Sequence, residues 1–227
     1  MINLFIIGAG QLGQLLYKEI KKNEKYKIVG FIDKYSKKKS FNGVKIYKKE
    51  NDFLKKKTKF NLVLALGNID QRKNVIKKFN KRNFIFPKII LEHCYIENRD
   101  NIENGSIIMT HSKILNNTKI GKYCLIGTNV NILHDTKIGK NCVIGGNTCV
   151  GANTEVGKNV LIGVGTVISS SKKKIGSDTI ICAGSVIHKD VRKNSKVIGN
   201  PFKYIPKKNW AFLKKYYQKV TIIKKFC

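Results

Sequence analysis

Four histidines decide where proton-transfer chemistry could lie in this chain: His93, His111, His134 and His188. Only His134 is followed directly by a carboxylate, Asp135. An imidazole beside a carboxylate can take a proton from an attacking nucleophile, because the negative charge favours the imidazolium that forms. His93 lies ahead of the repeats described below, His188 falls in the last of them, and His111 has no adjacent carboxylate, so all three are expected to be surface or packing residues. A second chemical signature is Gly8-x-Gly10-x-x-Gly13, with Asp33 twenty residues further on. Three glycines let a phosphate approach the backbone at a helix N-terminus, which is how dinucleotide-binding turns work. The six cysteines form no CxxC pair, and no His/Cys/Asp group has zinc spacing, so no metal is expected.

The glycine turn needs a strand before it and a helix after it. Residues 2–7 read as a short buried strand and 11–22 as a helical stretch. A second strand, 27–32, ends at Asp33, and a third apolar run, 60–66, ends at Gly67-Asn68 before a helical stretch over 71–79. This alternation predicts a small parallel α/β domain. The roughly 90 residues before the pattern changes leave little room for a six-stranded dinucleotide fold with a hydride-transfer site, so binding of a nucleotide-like group is favoured over a redox role.

From Ile102 the period becomes six, with a β-branched residue opening twelve consecutive hexads up to Ile168. Glycine follows it at 121, 127, 139, 145, 151, 157 and 163, and small residues such as Ser106, Thr118, Thr136 and Thr148 fill the fifth position. Cys124 and Cys142 share that position, so packing accounts for them. After Lys173 the register slips by one, and Ile175, Ile181 and Ile187 open three more hexads. Three hexads make one 18-residue coil, so fifteen predict five coils stacked around one aliphatic column. The domain boundaries follow: an α/β Rossmann-like domain over 1–92, a parallel β-helix over 93–205, and a basic tail over 206–227.

The net charge of +31 comes from 45 Lys and Arg against 14 Asp and Glu, yet only four of the basic residues are arginine, the side chain best suited to forked phosphate contacts. Lysines run through every segment, so the charge reads as solvated surface and not as a nucleic-acid site. No apolar run approaches the roughly 20 residues of a spanning helix, and the expected setting is cytoplasmic. The tail mixes aromatics with lysines and is expected to form an amphipathic helix covering an exposed end of the stack, in preference to lying on an anionic membrane.

With IIGAGQLG at 6–13, FIDK at 31–34, ALGN at 65–68, LHDTKIG at 133–139 and VIGNP at 197–201, the chain resembles the hexapeptide-repeat acyltransferases of the sialic acid O-acetyltransferase and UDP-4-amino-sugar N-acetyltransferase group. The resemblance implies that the β-helix is left-handed, that the protein is a homotrimer, and that acetyl-CoA lies between neighbouring β-helices. The implied activity is acetyl transfer to a nucleotide-activated amino sugar or to a sialic acid, for surface glycans, with His134 as general base and Asp135 supporting it. Gly10, Gln11, Leu12, Asp33, Lys34 and Gly67 would meet the acceptor, and Val143, Val164 and Gly184 the coenzyme. Related enzymes often carry histidines where Leu12 and Val143 stand here. A NAD-dependent oxidoreductase and a non-catalytic β-helix remain the alternatives from other classes.

Overall fold

In this computed structural model the described residues are 1–54, 59–79 and 83–210. The first domain opens with β1 (Ile2–Ile7), α1 (Gln11–Lys21) and β2 (Tyr26–Ile32). A hairpin of β3 (Ser40–Phe41) and β4 (Val44–Tyr47) follows, then the short α2 (Asn51–Leu54), β5 (Phe60–Leu64), α3 (Ile69–Lys78) and β6 (Phe84–Ile85). They form one sheet in the order β3-β4-β2-β1-β5-β6, parallel except for the β3–β4 pair. Six strands thus fit where a full set looked too large, because three of them have four residues or fewer. The strand order reverses beside β1, so the carboxyl ends of β1 and β5 flank a crevice of the kind that takes ligands in open α/β sheets.

The glycine turn is built by contact. Gly8 has φ +102°, and a Cβ on Gly13 would stand 2.0 Å from the Gly8 carbonyl oxygen, so only glycine lets α1 start this close to β1. Asp33 at the end of β2 closes the turn: its Oδ2 accepts from the Ala9 amide at 2.8 Å.

The second part is the parallel β-helix, with the left-handed fold expected from the resemblance. Face one carries seven parallel strands, from Ile89–Ile90 to Lys196–Ile198; face two carries six, from Tyr95–Ile96 to Val186–Ile187. Face three holds Lys119–Ile120, Lys137–Ile138, Glu155–Val156 and Lys174–Ile175, extended at its ends by single bridges from Ile102 and Val191. There are six complete coils among the described residues where five were expected. Ile90 and Ile96 continue the period ahead of Ile102, without the marker glycines, and Val191 and Val197 continue it beyond Ile187. The slip after Lys173 is absorbed at a corner where Ser171 and Lys172 both take positive φ.

Each hexad position has a physical task. The first supplies the column, in which Ile108, Ile120, Ile126, Ile132 and Ile144 are all buried. The fourth turns the corner in the left-handed region: Asn117, Asn129, Asp135, Asn141, Asn147, Asn153 and Asn159 all have φ between +55° and +58° or, at Asn159, +59°. Asn and Asp tolerate that region best among residues with side chains. The abundant asparagine is therefore partly structural. The fifth position is small because its hydroxyl donates to a carbonyl on the next coil, as Ser112 does to Gly127 O at 2.7 Å. Cys124 and Cys142 do the same with their thiols, to Gly139 O and Gly157 O at 3.1 Å, which bears out their packing role.

The two parts share a core. Leu4, Ile6, Leu16 and Ile20 of the first domain pack with Ile89, Ile107, Leu125 and Val143 of face one. On the other side of the sheet, aromatic residues including Phe53, Phe79 and Phe84 form a separate core. The described start of the tail is a 3-10 turn, Lys207–Asn209, and the helix expected beyond it lies outside the described residues.

Because each coil buries the column only by stacking on its neighbours, loss of one column side chain should be felt fully. Ile126→Ala is expected to cost about 2–5 kcal/mol, read as a lower denaturation midpoint with an unchanged slope in guanidinium unfolding.

Candidate active site

His134 follows the face-two strand Asn131–Ile132 and stands at the corner leading to face three. Its Nδ1 lies 2.7 Å from Asp135 Oδ2, and more than half of its side chain is exposed. With Nδ1–H donating to the carboxylate, the lone pair falls on Nε2. Asp135 can face back onto its neighbour because it occupies the left-handed corner position, with φ +57°. Its other oxygen, Oδ1, accepts from Asn117 Nδ2 at 3.0 Å one coil below. Hydrogen bonding to His134 first, and to Asn117 second, holds the Asp135 carboxyl below its ordinary value of 3.8. Sequence reading missed Asn117. The signal was its spacing, one 18-residue coil before Asp135 at the same corner position.

The three other histidines make ring contacts: His93 stacks on His111 with centroids 5.2 Å apart, and His188 tilts against Phe202 at 5.3 Å.

The residues expected to meet an acceptor converge on the carboxyl edge of the sheet. Gly10 caps α1, with no side chain satisfying the first amides of that helix and no acidic residue in its first turn. A Cβ on Gly10 or on Gly67 would meet nothing within 4 Å, so both backbones are open to a ligand. Asp33 and Lys34 line a cleft of about 180 Å³ together with Gly8, Leu66, Gln71 and Asn74. Lys34 extends over the exposed ring of Tyr35, 4.7 Å from its centre. Leu12 turns inward and packs on the core that contains Val143.

The residues expected at the coenzyme divide. Val164 and Gly184 sit on consecutive coils at the corner between faces one and two, joined by Gly184 N–H donating to Val164 O at 2.9 Å. Val164 is exposed, and Gly184, at φ +66°, has open space where a Cβ would be. Val143 is only 7% exposed and packs under the first domain. His134 lies on a different corner from Val164 and Gly184, with face two between them. One chain therefore does not bring the candidate base and the candidate coenzyme shelf together.

Among the described residues no group of three His, Cys, Asp or Glu side chains could hold a metal, and no helix is long and apolar enough to cross a membrane.

Comparison with known proteins fits this geometry. Residues 3–79 match the PglD N-terminal domain, and 135–170 match the bacterial transferase hexapeptide repeats. A comparison with curated protein sequences finds no match. Among solved structures, a variant of perosamine N-acetyltransferase from Caulobacter crescentus, in complex with CoA and GDP-perosamine, is 20% identical. It superposes with TM-score 0.82, over 90% of this chain and 97% of that one. The acetyltransferase domain of PglB from Neisseria gonorrhoeae in complex with acetyl coenzyme A is 23% identical, with TM-score 0.80, over 89% and 98% of the two chains. At these identities the likeness is one of fold.

Asp135 releases its proton more readily folded than unfolded. The stabilisation this brings is complete above the ordinary carboxylate value and is lost as pH falls through the lowered one. Asn117→Ala removes the second of the two causes. The Asp135 carboxyl is then expected to titrate at higher pH, followed by its side-chain carbon shift in an NMR titration.

Proposed function

We propose that this chain, a PglD-type N-terminal domain joined to transferase hexapeptide repeats, is an acetyl-CoA-dependent N-acetyltransferase acting on a nucleotide-activated amino sugar. The observation that carries the proposal is the His134–Asp135 pair, which presents a free Nε2 on an exposed corner of the β-helix. The acceptor amine attacks the thioester carbonyl while Nε2 takes its proton. Collapse of the tetrahedral intermediate breaks the C–S bond, and the departing thiolate is protonated by the imidazolium. Asp135 holds the ring orientation and offsets its positive charge during the step.

The division of labour follows the two parts. The first domain holds the acceptor: the amides at the start of α1 favour its phosphates, and Gly10, Gln11, Asp33, Lys34 and Gly67 frame the opening, while Leu12 packs inward on the shared core. The β-helix, from Ile89 onward, holds the donor, with Val164 and Gly184 as an open shelf for the coenzyme; Val143 is buried under the first domain and does not face that shelf.

The separation of His134 from Val164 and Gly184 argues for a homotrimer, in which the corner bearing His134 on one copy meets the donor shelf of the next. The proposal extends to a cytoplasmic setting and to the synthesis of surface glycans, for which nucleotide sugars are the activated building blocks.

Thiol release from acetyl-CoA, tested against nucleotide-linked amino sugars and sialic acids, should occur only with an amine acceptor. His134→Ala is expected to lower turnover by about 10²- to 10⁴-fold while the protein stays folded, because the hexad column is untouched. Light scattering should give three times the chain mass. A monomer with full turnover rules out the shared site.

A further inference from the structure

The cleft and the β-helix meet at a charged side chain that the chemistry above does not use. Arg72, on the first turns of α3, is fully buried, the only charged residue so placed among the described residues. Among the described residues it has no carboxylate partner. Its Nη1 donates to Leu66 O at 2.7 Å and to Leu64 O at 3.3 Å, at the end of β5. Its Nη2 donates to Tyr123 O and its Nε to Asn141 Oδ1 at 3.0 Å, both at the corner between faces three and one. Burial pushes its pKa down to about 10, so it is charged at neutral pH.

The bond to Leu66 matters because Leu66 walls the cleft and immediately precedes Gly67. A Cβ on Gly8 would stand 2.9 Å from a Leu66 methyl and 2.7 Å from Ala65 O, so the glycine turn rests on the segment that Arg72 holds. On the other side, a ladder climbs from Asn141 to Asn159 and from Asn159 to Asp178, at 3.0 and 3.1 Å. Lys73, the next residue of α3, closes the circuit on Asp178 at 2.7 Å. Tyr123 and Asn141 bracket the coil 124–140, which presents His134 at another corner.

We propose that Arg72 is a positioning residue that sets the height of the acceptor cleft along the β-helix to that of His134. This rests on the acetyltransferase reading. In a trimer whose axis runs along the coils, rotation leaves height unchanged. Registering the cleft on its own β-helix therefore registers it against the neighbour's His134 as well. The coenzyme shelf at Val164 and Gly184 belongs wholly to the β-helix and does not depend on Arg72.

The test is steady-state kinetics of Arg72→Met and Arg72→Lys with both substrates varied. The expected result is a rise in acceptor KM of about tenfold or more for Arg72→Met, with acetyl-CoA KM within about twofold of the parent. Arg72→Lys should fall between, since a single ammonium cannot hold four partners in fixed directions. If Arg72→Met does not fold, Arg72→Lys decides alone. Parallel changes in both KM values, or an unchanged acceptor KM in Arg72→Lys, overturn the positioning role while the acetyltransferase reading stands. A parent protein that releases no thiol with any nucleotide amino sugar overturns that reading and the positioning role with it.

Discussion

A buried guanidinium with no carboxylate partner among the described residues is the constraint on which the two-part architecture turns. Removing a cation from water costs several kcal/mol even after relaxation, and hydrogen bonds to a charged group return about 1.5–3 kcal/mol each. Arg72 has four such bonds, to partners from β5, its following loop and two coils of the β-helix. Burial is therefore tolerable only while all of those partners keep their places. The shared aliphatic core can accept small sliding motions, because it is non-directional. The Arg72 cluster cannot, because its bonds have fixed directions. Packing supplies the attraction between the parts and Arg72 supplies the register.

How much of this was legible beforehand depended on whether a residue's role repeats. The hexad column is a repeated burial pattern, so the β-helix could be read down to its slip at Lys173. The added hexads were missed at the far end because Val191 follows Ile187 after four residues; at the near end Ile90 and Ile96 keep the six-residue spacing to Ile102, so the signal was present in the sequence. The β3–β4 hairpin escaped because Ser40–Phe41 is too short to show alternation. His134 and Asp135 were visible as neighbours in sequence. Asn117 required knowing that residues one coil apart touch, and Arg72 required knowing that α3 lies against a corner of the β-helix. A basic residue in a lysine-rich chain carries no mark of burial, and the bland reading of its charge was the natural one.

The same geometry explains why the candidate base and the candidate coenzyme residues stand apart. A three-sided helix with two-residue strands presents its corners in different directions, so a base on one corner and an open shelf on another cannot face each other within one copy. The fourth hexad position forces each corner residue into the left-handed region, and Asp135 exploits that turn to lie against His134 and Asn117. Elsewhere the position holds mostly asparagine, with His93, His111, Tyr123 and Asp178 as exceptions, and at Gly105, Gly165 and Gly184 it holds glycine. Gly165 and Gly184, beside the exposed Val164, leave that corner bare.

The departures at Leu12 and Val143 are physically linked. Both side chains belong to the apolar cluster that joins the first domain to face one, with Ile69 and Leu161 at its edge. A histidine introduced at either place would enter an aliphatic setting and need a hydrogen-bond partner or leave a polar group buried, at a cost of about 1–3 kcal/mol. Aliphatic residues at both positions remove that demand together.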